Sequence, residues 1–339
     1  MKKVNVAIVG ATGAVGQAMI EILAQRQFPV DKVYLLASER SAGQTMQCMG
    51  QDLVVQNLAE FDFTQVQIGL FSAGSSISAE FAPIAAQAGC IVIDNTSEFR
   101  MDADIPLVVP EVNAHAIAQY TQRGIIANPN CSTIQMLVAL APLHRQIGIE
   151  RVNVATYQAV SGTGAPAIDE LTQQSHAILA NKPINPEIYP KQIAFNVLPH
   201  IDVFQDNGYT KEEMKMVLET QKILEDETVL VNPTCVRVPV FYGHSEALHV
   251  ELKKWTSLSD IQTILANAPG VKLLDERNDG GYATPATDAA GNDFTWISRL
   301  RLDLSHPRGL NMWVVSDNVR KGAALNSIQI GEYLINHHL

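Results

Sequence analysis

At 339 residues the chain is long for one simple core, so two domains are expected, and 47% hydrophobic against 17% charged residues excludes a disordered chain. A net charge of −11, with no basic run beyond Lys2-Lys3 and Lys253-Lys254, speaks against nucleic acid as a partner. Cys48, Cys90, Cys131 and Cys235 lie far apart and no HExxH pair occurs, which fits neither a disulfide scaffold nor a metal site and points to a reducing compartment.

The first apolar run, Val4–Val9, breaks at Gly10 into a glycine turn without a cleavage-type site, and reads as a cytoplasmic strand, not a leader. Apolar neighbourhoods such as Met136–Leu143 are too short to span a bilayer. Gly10, Gly13 and Gly16 then lead into a helix over Ala14–Arg26, the strand–turn–helix context of a dinucleotide fingerprint, although the spacing is GxxGxxG instead of GxGxxG. Such glycines let backbone amides approach a pyrophosphate at the helix start. A second strand, Lys32–Ala37, ends in Ser38-Glu39-Arg40-Ser41. Glu39 would suit the ribose hydroxyl of NAD, whereas Arg40 flanked by serines suits the 2′-phosphate of NADP.

Strands Val66–Phe71 and Cys90–Asp94 flank a helix over Ile77–Gln87, an alternation that predicts a parallel, doubly wound sheet. Ligands bind such sheets outside the strand C-termini, so Gly74, Asn95 and Asn128 should line a crevice and Arg100 could clamp an anion there. A short strand at Ile125–Ala127 runs into Asn128-Pro129-Asn130, and Cys131 opens a helix with Ile134, Leu137, Val138 and Ala141 at helical spacing. A thiol in a first helical turn, capped by Asn128 or Asn130, is disposed to ionise and act as a nucleophile.

Beyond Arg145 an alternating strand, Arg151–Gln158, is followed by the flexible Val160–Gly164 turn and a helix over Ala167–Ala180. Asn181–Pro190 reads as irregular surface chain. Thr210 with Glu213 forms a capping box for a helix to about Leu224, on which Glu212 and Lys215 share a face. A strand is expected at Val236–Phe241, with Arg237 near its start and His244 after it. Extended chain would part that pair by roughly 23 Å unless Tyr242-Gly243 folds back. Val250–Lys253, Leu300–Asp303 and Trp313–Ser316 read as further strands, Asp260–Ala266 as a helix capped by Ser259, and Val319–Leu334 as a final helix returning to the first domain.

Asn130-Cys131-Ser132-Thr133, the N-terminal nucleotide turn, Ser161-Gly162, Glu212-Glu213-Met214-Lys215, and Arg237 seven residues before His244 together resemble the aspartate-β-semialdehyde dehydrogenase family, in its compact bacterial form. The resemblance implies an α/β fold: a Rossmann-type doubly wound domain (1–128), an α+β catalytic and dimerisation domain (129–318), and a C-terminal helix (319–339) packing on the first. It implies Cys131 as acyl-accepting thiolate, His244 as acid–base residue and Gln158 as orienting group. Arg237 would hold the substrate α-carboxylate, Glu212 its α-ammonium, and Arg100 and Lys215 the phosphate, with Asn130 on the substrate side. Gly10, Thr12, Gly13, Ala14, Val15, Arg40, Ser41, Ser161, Gly162 and Asn318 would hold NADP.

The implied reaction is NADPH-dependent reduction of L-aspartyl-4-phosphate to the semialdehyde through a cysteine thioester, within lysine, methionine, threonine and isoleucine biosynthesis, by a cytoplasmic homodimer or tetramer. Residues Gln173–Pro199 are the expected interface. An N-acetylglutamyl-phosphate reductase would not need Glu212 for an ammonium group. A glyceraldehyde-type dehydrogenase would need no amino-acid clamp, and a non-catalytic NADP sensor would not keep the Cys–His–Arg set.

Overall fold

The computed structural model describes residues 2–339. The chain divides into two compact units, one made of the chain up to Asn130 together with Ala323–Leu339, the other of Cys131–Gly322.

In the first unit, strand β1 (Val4–Val9) is followed by helix α1 (Ala14–Gln25) and β2 (Val30–Ala37). After a small hairpin, β3 (Thr45–Cys48) with β4 (Gln51–Val54), come β5 (Gln56–Asn57) and β6 (Ile68–Phe71). Helix α2 (Ser75–Gln87), β7 (Ile91–Asp94), the short α3 (Pro110–Asn113) and β8 (Ile125–Ala127) complete it. Six strands pair in parallel in the order β5-β2-β1-β6-β7-β8, a doubly wound arrangement in which β6, β7 and β8 are buried along their whole length. The hairpin escapes the sequence reading because its strands are only four residues long and half polar. The C-terminal helix, Leu325–His337, belongs to this unit and sends Leu325, Ile328, Ile330 and Leu334 into the same core. Its start lies six residues later than expected, because Arg320–Ala324 form a wider, π-type turn.

The second unit begins with helix α4 (Cys131–Gln146), buried on nearly every side as an all-round apolar sequence requires. Then follow β9 (Ile149–Gln158), α5 (Ala165–Leu179), α6 (Lys211–Leu224), β10 (Leu230–Arg237), β11 (His244–Leu252), α7 (Leu258–Ala266), β12 (Val271–Leu273), β13 (Thr295–Leu302) and β14 (Gly309–Ser316). Their sheet, β10-β9-β11-β14-β13-β12, is mixed. The capping box on α6 forms as read, with Thr210 Oγ1 accepting from Glu213 N–H and the Glu213 carboxylate accepting from Thr210 N–H.

Three expectations in this unit need correction. The strand placed at Val236–Phe241 lies at Leu230–Arg237, so Arg237 ends it. Pro233 is tolerated because β10 is an edge strand, and Pro239 belongs to the chain that leaves the sheet. The strands expected at Val250–Lys253 and Leu300–Asp303 are the ends of longer ones, the first of which His244 opens. Ser257, not Ser259, caps α7 by accepting from Asp260 N–H.

Irregular chain between α5 and α6 is held by two buried side chains of α5. The Glu170 carboxylate accepts the amides of Glu187 and Ile188 at 2.8 and 2.5 Å, and Gln174 Oε1 those of Ile193 and Ala194 at 3.0 and 3.2 Å.

Candidate active site

The second unit gathers its chemistry at one end of the mixed sheet. Arg237, the last residue of β10, pairs with Gln158, the last of β9, and the Ser245–Tyr157 pairing sets His244 beside Gln158 on the other side. Because residues directly opposite in a sheet share a face, Arg237, Gln158 and His244 form one row. The distance problem posed by their seven-residue separation disappears. Residues 238–243 fold back, with Val240 and Phe241 carbonyls accepting from Val160 and Ser161 N–H at 2.9 and 3.1 Å.

The backbone of one residue, Ala159, orders two of these side chains. Ala159 N–H donates to His244 Nδ1 at 3.0 Å, and the Ala159 carbonyl accepts from Arg237 Nη1 at 2.7 Å. An Nδ1 that accepts cannot carry the proton, so the neutral imidazole holds it on Nε2. His244 is fully buried, and that burial, reinforced by the Arg237 charge and only partly offset by Glu212, pushes its pKa down to about 3. With the ring neutral at ordinary pH, His244 presents Nε2–H as a donor. Neither His244 Nε2 nor Arg237 Nε has a hydrogen-bond partner among the described residues, although both side chains are buried. Gly162 lies over this pair. A Cβ there would stand 3.0 Å from Arg237 Nη1 and 3.3 Å from His244 Nε2, so any side chain would crowd both.

Beside the row, Glu212 Oε1 accepts from Gln158 Nε2 at 3.1 Å and its Oε2 from Lys215 Nζ at 2.9 Å. The i,i+3 pair expected on α6 is thus a nearly buried ion pair tied into the site, not a solvated surface one. Lys215 also donates to Asp202 Oδ2 at 2.9 Å, a partner that nothing in the local sequence announces. Burial opposes the charge on Lys215, but Glu212 and Asp202 outweigh it and hold its pKa above the usual lysine value.

Cys131 is the first residue of α4 and alone among the four cysteines is not buried. Burial pushes the Cys90 thiol up to about 12 and raises those of Cys48 and Cys235, which disfavours their thiolates. Gly322 connects Cys131 to the histidine end of the sheet. A Cβ on it would lie 2.8 Å from Cys131 Cβ and 3.7 Å from Asn318 Cβ, while Asn318 Oδ1 accepts from Gly243 N–H, next to His244, at 2.9 Å. Asn318 also bonds Ser161 Oγ, so these two candidates first of all bolt the 160–163 turn in place. Sequence reading missed Gly322 and Asp202. It also missed Glu246, two residues along β11 on the His244 face, whose fully buried carboxyl is raised well above the usual range by burial, with the Gln135 amide opposing.

In the first unit, Gly10 takes φ +89° and packs against Ser72 and Ala73, and Gly16 lies so close that a Cβ would fall 2.3 Å from Gly10 O. Both glycines are therefore demanded by packing of the turn. Gly13, Thr12, Ala14 and Val15 stand at the start of α1, which has no side-chain cap and no acid in its first turn. Arg40 and Ser41 lie in a short turn after β2, Arg40 exposed. Arg100 is buried and donates to the Asn95 carbonyl at 2.8 Å. The crevice expected from Asn95 and Asn128 is altered. Asn95 Oδ1 accepts from Ser327 and Asn128 Oδ1 from Asn326, so both side chains serve the C-terminal helix. Asn130 is buried.

Comparison with known proteins agrees with this arrangement. The semialdehyde dehydrogenase NAD binding domain family matches residues 5–120, and the semialdehyde dehydrogenase dimerisation domain family matches residues 140–321. The aspartate-semialdehyde dehydrogenase of Legionella pneumophila is 57% identical, covering 98% of this chain and 96% of its own. The chain belongs to the aspartate-semialdehyde dehydrogenase family. The aspartate-semialdehyde dehydrogenase of Aquifex aeolicus is 51% identical over 99% of both chains. Aspartate semialdehyde dehydrogenase II of Vibrio cholerae, solved in complex with ASA, matches with a TM-score of 0.98 at 55% identity over the full length of both chains. A Candida albicans aspartate semialdehyde dehydrogenase solved with NADP matches at 0.76 and 25% identity, covering 98% of this chain and 99% of that one. This member of the family is accordingly an NAD(P)-binding semialdehyde dehydrogenase of α/β fold. Among the described residues no helix is long and apolar enough to cross a membrane.

Proposed function

We infer that the enzyme reduces L-aspartyl-4-phosphate to L-aspartate-4-semialdehyde and phosphate with NADPH, through a thioester on Cys131. One observation carries the reading. Two buried side chains that meet beneath Gly162, Arg237 and His244, each keep one donor, Nε and Nε2, without a hydrogen-bond partner among the described residues, in the unit that holds the one unburied cysteine. Unpaired buried donors are costly unless a ligand completes them.

Arg237 is assigned to the substrate α-carboxylate and Glu212 to its α-ammonium, with Gln158 fixing the Glu212 carboxylate and facing the substrate. Arg100 and Lys215 are assigned to phosphate, and Asn130 to the substrate side of Cys131. The Cys131 thiolate attacks the acyl carbon, the C–O bond to phosphate breaks, and phosphate leaves with the bonding pair. A nicotinamide cofactor, when bound, supplies the hydride that reduces the thioester carbonyl. The resulting oxyanion on the former carbonyl oxygen is the group that His244 Nε2–H would stabilise, and its collapse breaks the C–S bond and returns the thiolate. A neutral donor serves here without first having to gain a proton.

The residues fit a dinucleotide: a glycine turn with little room for a Cβ at Gly10 and none at Gly16, and an uncapped, acid-free helix start. Gly10, Thr12, Gly13, Ala14 and Val15 are assigned to its phosphates, Arg40 and Ser41 to the 2′-phosphate that distinguishes NADP, and Ser161, Gly162 and Asn318 to the remainder. The product would enter lysine (through diaminopimelate), methionine, threonine and isoleucine synthesis in the cytoplasm. Assembly as a homodimer is supported by the dimerisation-domain match and by exposed Phe195, Val197, Val203 and Phe204 on the segment after α5.

The test is the reverse assay, with semialdehyde, phosphate and either NADP or NAD, on wild type and Cys131→Ala. NADP reduction that needs phosphate and Cys131 is expected; turnover surviving the substitution would rule out the thioester.

A further inference from the structure

Lys215 is not an open cation. Its ammonium lies between Glu212 Oε2 and Asp202 Oδ2, each at 2.9 Å, with the lysine side chain 18% exposed and that of Asp202 30%. Glu212 has a second duty, accepting from Gln158, whereas Asp202 hydrogen-bonds no other site residue among the described residues. The chain around Asp202 is built to present it. Leu198 exchanges backbone hydrogen bonds with Arg237 at 2.8 and 2.9 Å, and the Val203 carbonyl accepts from Lys211 N–H, at the first residue of α6, at 2.8 Å. Residues 198–203 therefore form a strap from the substrate arginine to the base of the helix that carries Lys215. In its middle Asp202 adopts a left-handed backbone, φ 66°, and its Oδ1 accepts from Val203 N–H.

We propose that Asp202 is a positioning residue that holds Lys215 as a stand-in anion and gives way to phosphate, setting the enzyme's affinity for that ion. The inference rests on the reading of Lys215 as a phosphate ligand. Two carboxylates on one ammonium keep it charged and aimed, and Lys215 holds Asp202 itself ionised, below its usual range against the pull of burial. An arriving phosphate brings a third negative group to the same nitrogen, so it must displace or oppose one of them. Glu212 is anchored on both oxygens, which leaves Asp202 as the one that yields.

The experiment uses inorganic phosphate as the varied substrate in the semialdehyde-oxidising direction. Asp202→Asn keeps an acceptor for Val203 N–H but removes the competing charge. It is expected to lower the phosphate KM about three- to tenfold while the semialdehyde KM stays within about twofold. A phosphate KM that is unchanged or raised overturns the proposal. Asp202→Glu, which keeps the charge, should leave the phosphate KM close to wild type; if it behaves like the Asn variant, charge competition is not the cause. Lys215→Met tests the layer beneath. Should it leave the phosphate KM unaltered, Lys215 is not the phosphate ligand and the proposal falls with that reading, whatever the Asp202 variants do.

Discussion

The two units solve the same problem, placing polar groups at the end of a buried sheet, by opposite routes. In the first, the working turn is one contiguous stretch, Gly10–Gly16, between β1 and α1, and its glycines answer to one another: Gly16 packs on Gly10 O. In the second, Gln158, Arg237 and His244 come from three strands whose pairing mixes parallel and antiparallel, and the backbone of one residue, Ala159, aligns two of them. The first kind of site stands or falls with its local fold. The second depends on register, so small intrusions should harm chemistry before they harm stability.

The largest effect that would sharpen this contrast is at the nucleophile. Cys131→Ala should cut turnover by at least about 10³-fold with the melting temperature nearly unchanged, since the residue begins a helix that its neighbours bury. Next come two matched glycine substitutions. Gly162→Ala, whose Cβ meets Arg237 and His244, should lower kcat/KM roughly 10²-fold with little loss of stability. Gly16→Ala, whose Cβ meets backbone, should instead destabilise the first unit by about 2–4 kcal/mol in denaturant melts. If Gly162→Ala unfolds the enzyme while Gly16→Ala only slows it, the contrast is reversed and the comparison fails.

Two pH effects follow, both smaller. The unfolded imidazole of His244 titrates near its ordinary value of about 6.5, and the folded one near 3. Between those limits only the unfolded chain binds the proton, so acid erodes stability from about pH 6.5 downward and His244 adds no pH dependence above that. His244→Asn should flatten the difference between melts at pH 7.5 and pH 5. Glu246 has the opposite sign. Its folded carboxyl is raised above the unfolded value of 4.5, so the folded state is penalised as pH rises past that point. Glu246→Gln should therefore raise the melting temperature more at pH 8 than at pH 4.5, worth roughly 1–3 kcal/mol. An equal gain at both pH values would mean the carboxyl is not held neutral by burial.

What the sequence disclosed follows the same division. Strand β1, its glycine turn and α1 were legible because periodicity and turn chemistry are local, and so was the Thr210–Glu213 capping box. The parallel order followed from the β-α-β alternation. Cys131 at a helix start could be read from Asn-Pro-Asn alone. Arg237 and His244 could be named only through the family resemblance, since their strands were misplaced: Pro233 looks like a breaker until β10 is known to be an edge. Asp202, Gly322 and Glu246 left no local mark, because what makes each of them matter is a partner 13 or more residues away or a face of a sheet whose pairing is not written in any one segment.

The Ala159 N–H has a wider consequence. Since a main-chain amide, and not an acidic side chain, decides which imidazole nitrogen bears hydrogen, no exchange of one amino acid for another at position 159, proline aside, removes the group that makes that choice. The proton's address is written in how a strand ends, so it can drift only as fast as the fold itself does.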